Sequence, residues 1–301
     1  MRINKRLGVL GAEITDVNLN DNNTSLYIEI HHLLMEHQVL FFRDQDISYS
    51  SHKRLAESIG LVKPHPAYNT VENFPEISIL ESTADSPSKI ECWHSDMTYS
   101  NKPPLGTVLR SRIIPEVGGD TLWSSMTAAF NGLSSNMQEM LKGLSAVHDF
   151  SHGFQETLSQ PEGRKRLKLA IKENPPVTHP VINIHPITKK FGIYVNELFT
   201  TKITNLPKSE SDYLLNFLEL QHTFTVPTSV NYGLPMRGNN NTNNFNEHQK
   251  IIKKQNTFNE PLTTAIGNNG GGVMMSTNNM NNYIAVEDEN EIDLSLSDED
   301  D

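Results

Sequence analysis

The sequence predicts a mainly β fold with inserted helices, a sandwich or jelly roll, and three observations carry that prediction. Short apolar stretches with strand character recur along residues up to about 222. Segments with helical period interrupt them. Strands and helices do not alternate in the βαβ rhythm that a doubly wound sheet needs.

Taken in order, "LGVLGAEITDV" reads as a short β segment with turn-forming glycines. From Ser25 to His37, Leu26, Ile30, Leu33 and Leu34 fall on one helical face. "QVLFFRDQ" is a buried strand, apolar from Val39 to Phe42, and Tyr49 to Ile59 is a helix with Gly60 as its C-terminal cap. "EISILEST", "CWHSDMTYS" and "LGTVLRSRIIP" read as strands, and Gly118 and Gly119 turn the chain into "DTLWSSM". A helix is expected from about Thr127 to Leu144, before "SAVHDFSHGF". "HPVINIHPITKKFGIYVN" has the form of a hairpin joined around Pro186 to Lys190. "KSESDYLLNFLELQ" closes the patterned region as a helix with Leu214, Phe217, Leu218 and Leu220 inward.

Beyond residue 222 the composition changes. Residues 239–282 hold 14 asparagines, and Glu287 to Asp301 holds nine acids and no base. The net charge of −11 is therefore mostly this end of the chain, with about −2 left for the rest. The expected organisation is one domain over 1–222 and a solvated, disordered tail over 223–301. No basic footprint for nucleic acid is visible, and no apolar run reaches the ~18 residues of a membrane helix. One cysteine, Cys92, excludes an intramolecular disulfide framework, so an intracellular, cytoplasmic protein is expected.

The chemistry concentrates in "ECWHSDMTYS", residues 91–100. If the segment is a strand, alternation puts His94 and Asp96 on one face with Ser95 opposite. An imidazole and a carboxylate so placed can share a proton, a hydrogen bond or a metal. A histidine hydrogen-bonded to a neighbouring acid is the plain structural alternative.

The surroundings favour the metal. "WHSDMTYSNKPPLGTVLRSRIIPEVGGDTLWSSMTAAFNGLS" resembles the taurine dioxygenase family of iron(II)- and 2-oxoglutarate-dependent oxygenases. So do "HQVLFFRDQDIS", "HPAY", "LKGLSAVHDFSHGF" and "HPVINIHPITKKFGIYVNELFTTKI", in order, from about Leu7 to His222. The resemblance implies a double-stranded β-helix with iron(II) held by two histidines and a carboxylate, and with 2-oxoglutarate and O2 as co-substrates. His94 and Asp96 match the first two ligands, and Thr121 matches the hydroxyl that holds the distal carboxylate of 2-oxoglutarate. His65, Tyr68 and Phe154 match positions lining the family's substrate pocket. The implied partner is a small organic anion, a sulfonate such as taurine, and a homo-oligomer is compatible with the family.

Two departures qualify the implied function. Ile90 stands where taurine-using relatives carry a polar substrate contact. After His222 the family's strands with a distal histidine and two arginines give way to "TVPTSVNYGLPMRGNNNTNNFNEHQKIIKKQN", so the jelly roll is expected to be C-terminally incomplete. His248 lies at about the right distance for the missing ligand, but Arg237 precedes it instead of following. A catalytically impaired metal- or anion-binding pseudoenzyme, or a truncated gene product, is therefore the second reading.

Overall fold

A computed structural model describes residues 1–5, 10–82, 92–113, 121–224, 228–230, 273–277 and 283–291. Strands β1 (Arg2–Lys5) and β2 (Ala12–Thr15) precede helix α1 (Thr24–His37), and β3 (Val39–Phe42) precedes helix α2 (Tyr49–Glu57). The Asn23 side chain starts α1 by accepting from the Ser25 and Leu26 amides. The end of α2 falls at Ser58 in right-handed geometry, not at Gly60 as expected. Its last turn closes instead through Ser58 N–H to the Arg54 carbonyl at 3.0 Å. Short strands β4 (Leu61–Val62) and β5 (Thr70–Val71) lead into β6 (Phe74–Ser82), then β7 (Gly106–Ser111) and β8 (Thr121–Trp123).

The helix expected over 127–144 is two helices, α3 (Met126–Asn131) and α4 (Ser135–Lys142). Gly132 ends the first and the Ser134 hydroxyl caps the second, while the apolar period runs on through the break. Strand β9 (Ser145–His148), helices α5 (Phe150–Gly153), α6 (Gln155–Ser159) and α7 (Pro161–Glu173), and strand β10 (Val177–Pro180) follow. The expected hairpin is β11 (Ile182–Ile184) paired with β12 (Phe191–Ile193). Strand β13 (Thr200–Ile203) and helix α8 (Lys208–Phe224) complete this part. On α8 the inward residues are Leu215 and Leu218, flanked by Leu214 and Phe217, whereas Leu220 is 57% exposed and faces outward.

Residues 223–301, expected as a disordered tail, contribute β14 (Thr228–Val230), β15 (Val273–Thr277) and β16 (Tyr283–Glu291). β15 lies between β3 and β7, and β16 between β7 and β6, in a sheet ordered β1-β2-β3-β15-β7-β16-β6-β5, with β4 also on β16. "VMMST" and "YIAVE" are short β-prone runs inside Asn-rich and acidic sequence, so composition averaged over the segment hides them. The expected turn at Gly118 and Gly119 lies outside the described residues.

The all-apolar β3 is explained by burial on both sides. Leu40 and Phe42 pack with Ile30, Leu33 and Leu34 of α1 and Leu55 and Ala56 of α2. On the opposite face Val39 and Phe41 pack with Leu109 of β7 and Trp123 of β8. β8 pairs with β14, so this small sheet covers the second face of the main one. A three-stranded sheet, β10-β9-β13, holds another core, where Ala146, Ile193, Val195 and Ile203 meet Leu215 and Leu218 of α8. No helix among the described residues is long and apolar enough to cross a membrane.

Four buried histidines tie stability to pH. Burial favours the neutral imidazole and lowers His52, His65 and His185 to about 4 and His148 to about 3. In the unfolded chain they titrate near 6.5, so below that pH the unfolded state binds more protons. Their contribution is complete above pH 6.5 and is lost as pH falls, at up to about 1.4 kcal/mol per pH unit for each histidine. Melting temperatures should therefore drop steeply between pH 6.5 and 4.5; a flat profile across that window would contradict neutral burial.

Candidate active site

Residues 92–100 are a bend and a run of turns, not the expected strand. Met97 adopts a left-handed φ of 53°, a backbone that an extended strand does not contain, and the chain turns there. His94 and Asp96 still converge, with His94 Nε2 3.4 Å from Asp96 Oδ1. The spacing survives although strand alternation does not produce it.

Each polar atom of the pair has an assigned partner. His94 Nδ1 lies 3.1 Å from the Cys92 carbonyl, which can only accept, so Nδ1 carries a hydrogen. In the neutral ring Nε2 is then the lone pair. The Thr107 hydroxyl donates to Asp96 Oδ2 at 2.8 Å, leaving Oδ1 facing His94. Burial works against the charged His94, but the Asp96 carboxylate overrides it and raises the imidazole pKa above its ordinary value. Burial likewise pushes Asp96 up, and the His94 and Thr107 hydrogen bonds, with His65 nearby, outweigh it and hold the carboxyl below its usual range. The side chains remain 28% and 32% exposed, so the pair sits at a rim that solvent and ligands reach.

The turn after Asp96 is fastened to both sheets. Thr107 belongs to β7 of the main sheet. On the other side Thr98 Oγ1 meets His148 Nδ1 of β9 at 3.0 Å and accepts from Asn196 Nδ2 at 3.2 Å. His179 Nε2 of β10 donates to the Ser100 carbonyl at 3.0 Å, and Lys63 Nζ donates to the Ser100 hydroxyl at 2.6 Å.

His65, Tyr68 and Phe154 come together beside this turn. His65 and Tyr68 ring centroids are 4.4 Å apart, His65 and Phe154 5.9 Å, and Tyr68 and Phe154 6.4 Å. His65 Nδ1 accepts from the Ala67 amide at 3.2 Å, so its Nε2–H is left for Tyr99 Oη, also at 3.2 Å. Both nitrogens of this buried ring are therefore occupied. The Asp96 charge reaches His65 and opposes the effect of its burial, which places the ring cluster next to the carboxylate. Gly153 brings α5 against Phe199; a β-carbon there would stand 2.4 Å from the ring.

Thr121 stands on a different sheet, at the start of β8 opposite Val230. Alternation puts it on the side of β8 that carries Trp123, which packs on Leu109. Leu109 and Thr107 share one face of β7, so Thr121 looks toward the face that holds Asp96.

Comparison with known proteins gives the family and the fold. The model of the taurine catabolism dioxygenase TauD, TfdA family matches residues 3–223. This chain belongs to that family. An alkylsulfatase of Acinetobacter baylyi is 30% identical over 224 residues, covering 73% of this chain and 70% of the relative. An alpha-ketoglutarate-dependent sulfonate dioxygenase of Saccharomyces cerevisiae is 31% identical, and the match spans 72% of this chain but 54% of the yeast protein. A solved taurine dioxygenase from Burkholderia xenovorans superposes with a TM-score of 0.64 at 23% identity, over 93% of this chain and 80% of that one. The chain therefore has the fold of the TauD-like dioxygenases.

The donors fit the iron that the family implies. One imidazole nitrogen and one carboxylate oxygen converge, the donor types of a two-histidine, one-carboxylate site. Among the described residues no third histidine, cysteine, aspartate or glutamate joins them. His248, Arg237 and Ile90 lie outside the described residues. Sequence reasoning missed Thr107, Thr98, His148 and Asn196, which hold the ligand turn, and Arg166, whose guanidinium donates to the Ala67 carbonyl and pins the "HPAY" loop. A lone threonine or asparagine carries no spacing signal; the pairing exists only once two sheets meet.

Replacing Gly153 by alanine should cost about 1–3 kcal/mol, since Phe199 is enclosed and the Leu198 carbonyl also stands 3.1 Å away. Denaturant unfolding of the two chains measures it; equal midpoints would show that the contact yields freely.

Proposed function

We propose that this chain is an iron(II)- and 2-oxoglutarate-dependent dioxygenase that hydroxylates a small sulfonate, such as taurine, or a related organic anion. Sulfite is the expected product from a sulfonate. The supporting observation is the convergence of His94 Nε2 and Asp96 Oδ1 beside the His65, Tyr68 and Phe154 rings, in a chain of this family. The relatives named a sulfonate dioxygenase and, at 26% identity, a sulfate ester dioxygenase of Pseudomonas putida support an anion with a sulfur-oxygen headgroup. We take the protein to be cytoplasmic and its jelly roll to be a double-stranded β-helix.

Bound iron(II) would supply the site where O2 is activated at the expense of 2-oxoglutarate, which becomes succinate and CO2. The chain's own residues prepare that site. The Cys92 carbonyl fixes the His94 ring so that Nε2 points at the ligand position. Thr107 holds one Asp96 oxygen, so the other, which faces His94, is the one that would meet the metal. His94 and Asp96 share a hydrogen bond, and both would have to be deprotonated to hold the metal. Thr121 is the hydroxyl for the distal carboxylate of the co-substrate. The ring cluster excludes water from one side of the substrate and shapes its apolar part.

Among the described residues only two donors converge, and two donors hold iron weakly, an observation that favours the second reading, a metal- or anion-binding pseudoenzyme. One experiment separates them. The full chain is incubated with iron(II), 2-oxoglutarate, O2 and a panel of taurine, alkyl sulfonates and alkyl sulfates, and succinate, sulfite and sulfate are measured. Succinate coupled to sulfite or sulfate supports the enzyme; iron binding without turnover supports the pseudoenzyme; co-substrate turnover with none of these anions refutes the substrate class.

His94→Ala and Asp96→Ala should each abolish the rise in melting temperature given by iron(II) with 2-oxoglutarate under anaerobic conditions. A ligand at a hundredfold excess over its Kd stabilises by about 2.7 kcal/mol, a shift that is readily seen. His248→Ala should leave the shift intact unless His248 is the third ligand. No shift in the parent chain would remove the iron reading.

A further inference from the structure

The turn that carries Asp96 is built around an unfavourable backbone. Met97 adopts φ 53° with its side chain fully buried, and an unbranched non-glycine residue does so only when its surroundings hold it there. The neighbouring hydroxyl is where that hold acts. Thr98 is also fully buried, and its single side-chain oxygen takes two partners, His148 Nδ1 at 3.0 Å and Asn196 Nδ2 at 3.2 Å.

Those partners are themselves fixed. His148 is fully buried at the end of β9, and Thr200 Oγ1 lies 3.4 Å from the same nitrogen. The Thr200 hydroxyl oxygen accepts from the Asn196 amide at 2.9 Å, and the Asn196 side-chain oxygen accepts from the Phe199 amide at 3.0 Å. The network links β9 and β13 to a residue two positions from the carboxylate.

We infer that Thr98, gripped by His148 and Asn196, is a positioning residue that sets the Asp96 carboxylate opposite His94. Thr107 fixes one oxygen of Asp96 from the main sheet, and the Thr98 clamp fixes the backbone behind it from the second sheet. Without the clamp Met97 relaxes toward ordinary φ, the turn opens, and Oδ1 swings away from Nε2. The inference rests on the reading of His94 and Asp96 as metal ligands.

The test compares the parent chain with Thr98→Val, which keeps the shape and loses the hydroxyl, and Thr98→Ser, which keeps the hydroxyl. Manganese(II) affinity of the full chain, with 2-oxoglutarate and without O2, is measured well below the melting temperature of the metal-free protein. Groups that orient metal ligands typically change affinity 10- to 100-fold when lost, so the valine chain should bind about that much more weakly and the serine chain close to the parent. In parallel, amide exchange is followed in the metal-free chains. The Ser100 amide, bonded to the Met97 carbonyl at 2.9 Å, should exchange at least about tenfold faster in the valine variant, with β9 and β13 unchanged. Unchanged affinity with a lowered melting temperature would reduce Thr98 to a structural role and overturn the inference. Unchanged Ser100 exchange would overturn it as well. A parent chain that binds no manganese would defeat the metal reading, while the exchange comparison would still decide whether the clamp holds the turn. Thr98→Ala replaces the valine variant if that chain does not fold.

Discussion

The fastening of residues 96–100 between two sheets is the constraint on which the rest depends. Five consecutive residues are each held from a different direction. Thr107 holds Asp96, Met97 is enclosed, His148 and Asn196 hold Thr98, Tyr99 bonds His65, and His179 and Lys63 hold Ser100. Buried polar groups must be paired, and here the pairing itself orders a backbone that local preference opposes. The apolar cores on either side determine where the sheets stand, and the turn inherits its geometry from both.

Tyr99 couples the ligand turn to the pocket. Its hydroxyl meets His65 Nε2, while its ring packs edge-on against Phe150 at 5.0 Å and Phe199 at 4.9 Å. Helix α7 reaches the same pocket from behind, through Arg166 and the Ala67 carbonyl. Pocket rings and ligand turn thus share one aromatic core, and the Asp96 charge is felt at His65 without direct contact.

Much of this was legible in the sequence, for identifiable reasons. β3 announced itself because a strand buried on both faces has no polar position, and α1 because Ile30, Leu33 and Leu34 keep helical spacing. The His94 and Asp96 pair and the pocket residues were found through family motifs, not through geometry. The strand drawn through residues 92–100 failed at Met97, since nothing in a methionine signals left-handed backbone. Leu220 was assigned inward because leucines crowd both sides of α8, and the register is decided by the core formed by Ala146, Ile193 and Ile203. The clamp was invisible because Thr98, His148 and Asn196 are separated by tens of residues and meet only through tertiary pairing.

The place of β15 in the main sheet has a consequence for synthesis. Strands β3 and β7 are finished early in translation, yet the strand that joins them is made of residues 273–277. While the ribosome is still adding the Asn-rich stretch, the nascent chain carries two strands whose inner edges lack a neighbour. Free edges of that kind pair readily with other chains. The 48 residues between α8 and β15 cost little extra in closure entropy, because that cost grows only with the logarithm of length. They do postpone completion of the sheet until residues 273–277 have been made, long after β3 and β7, so those edges stay unshared throughout the intervening synthesis.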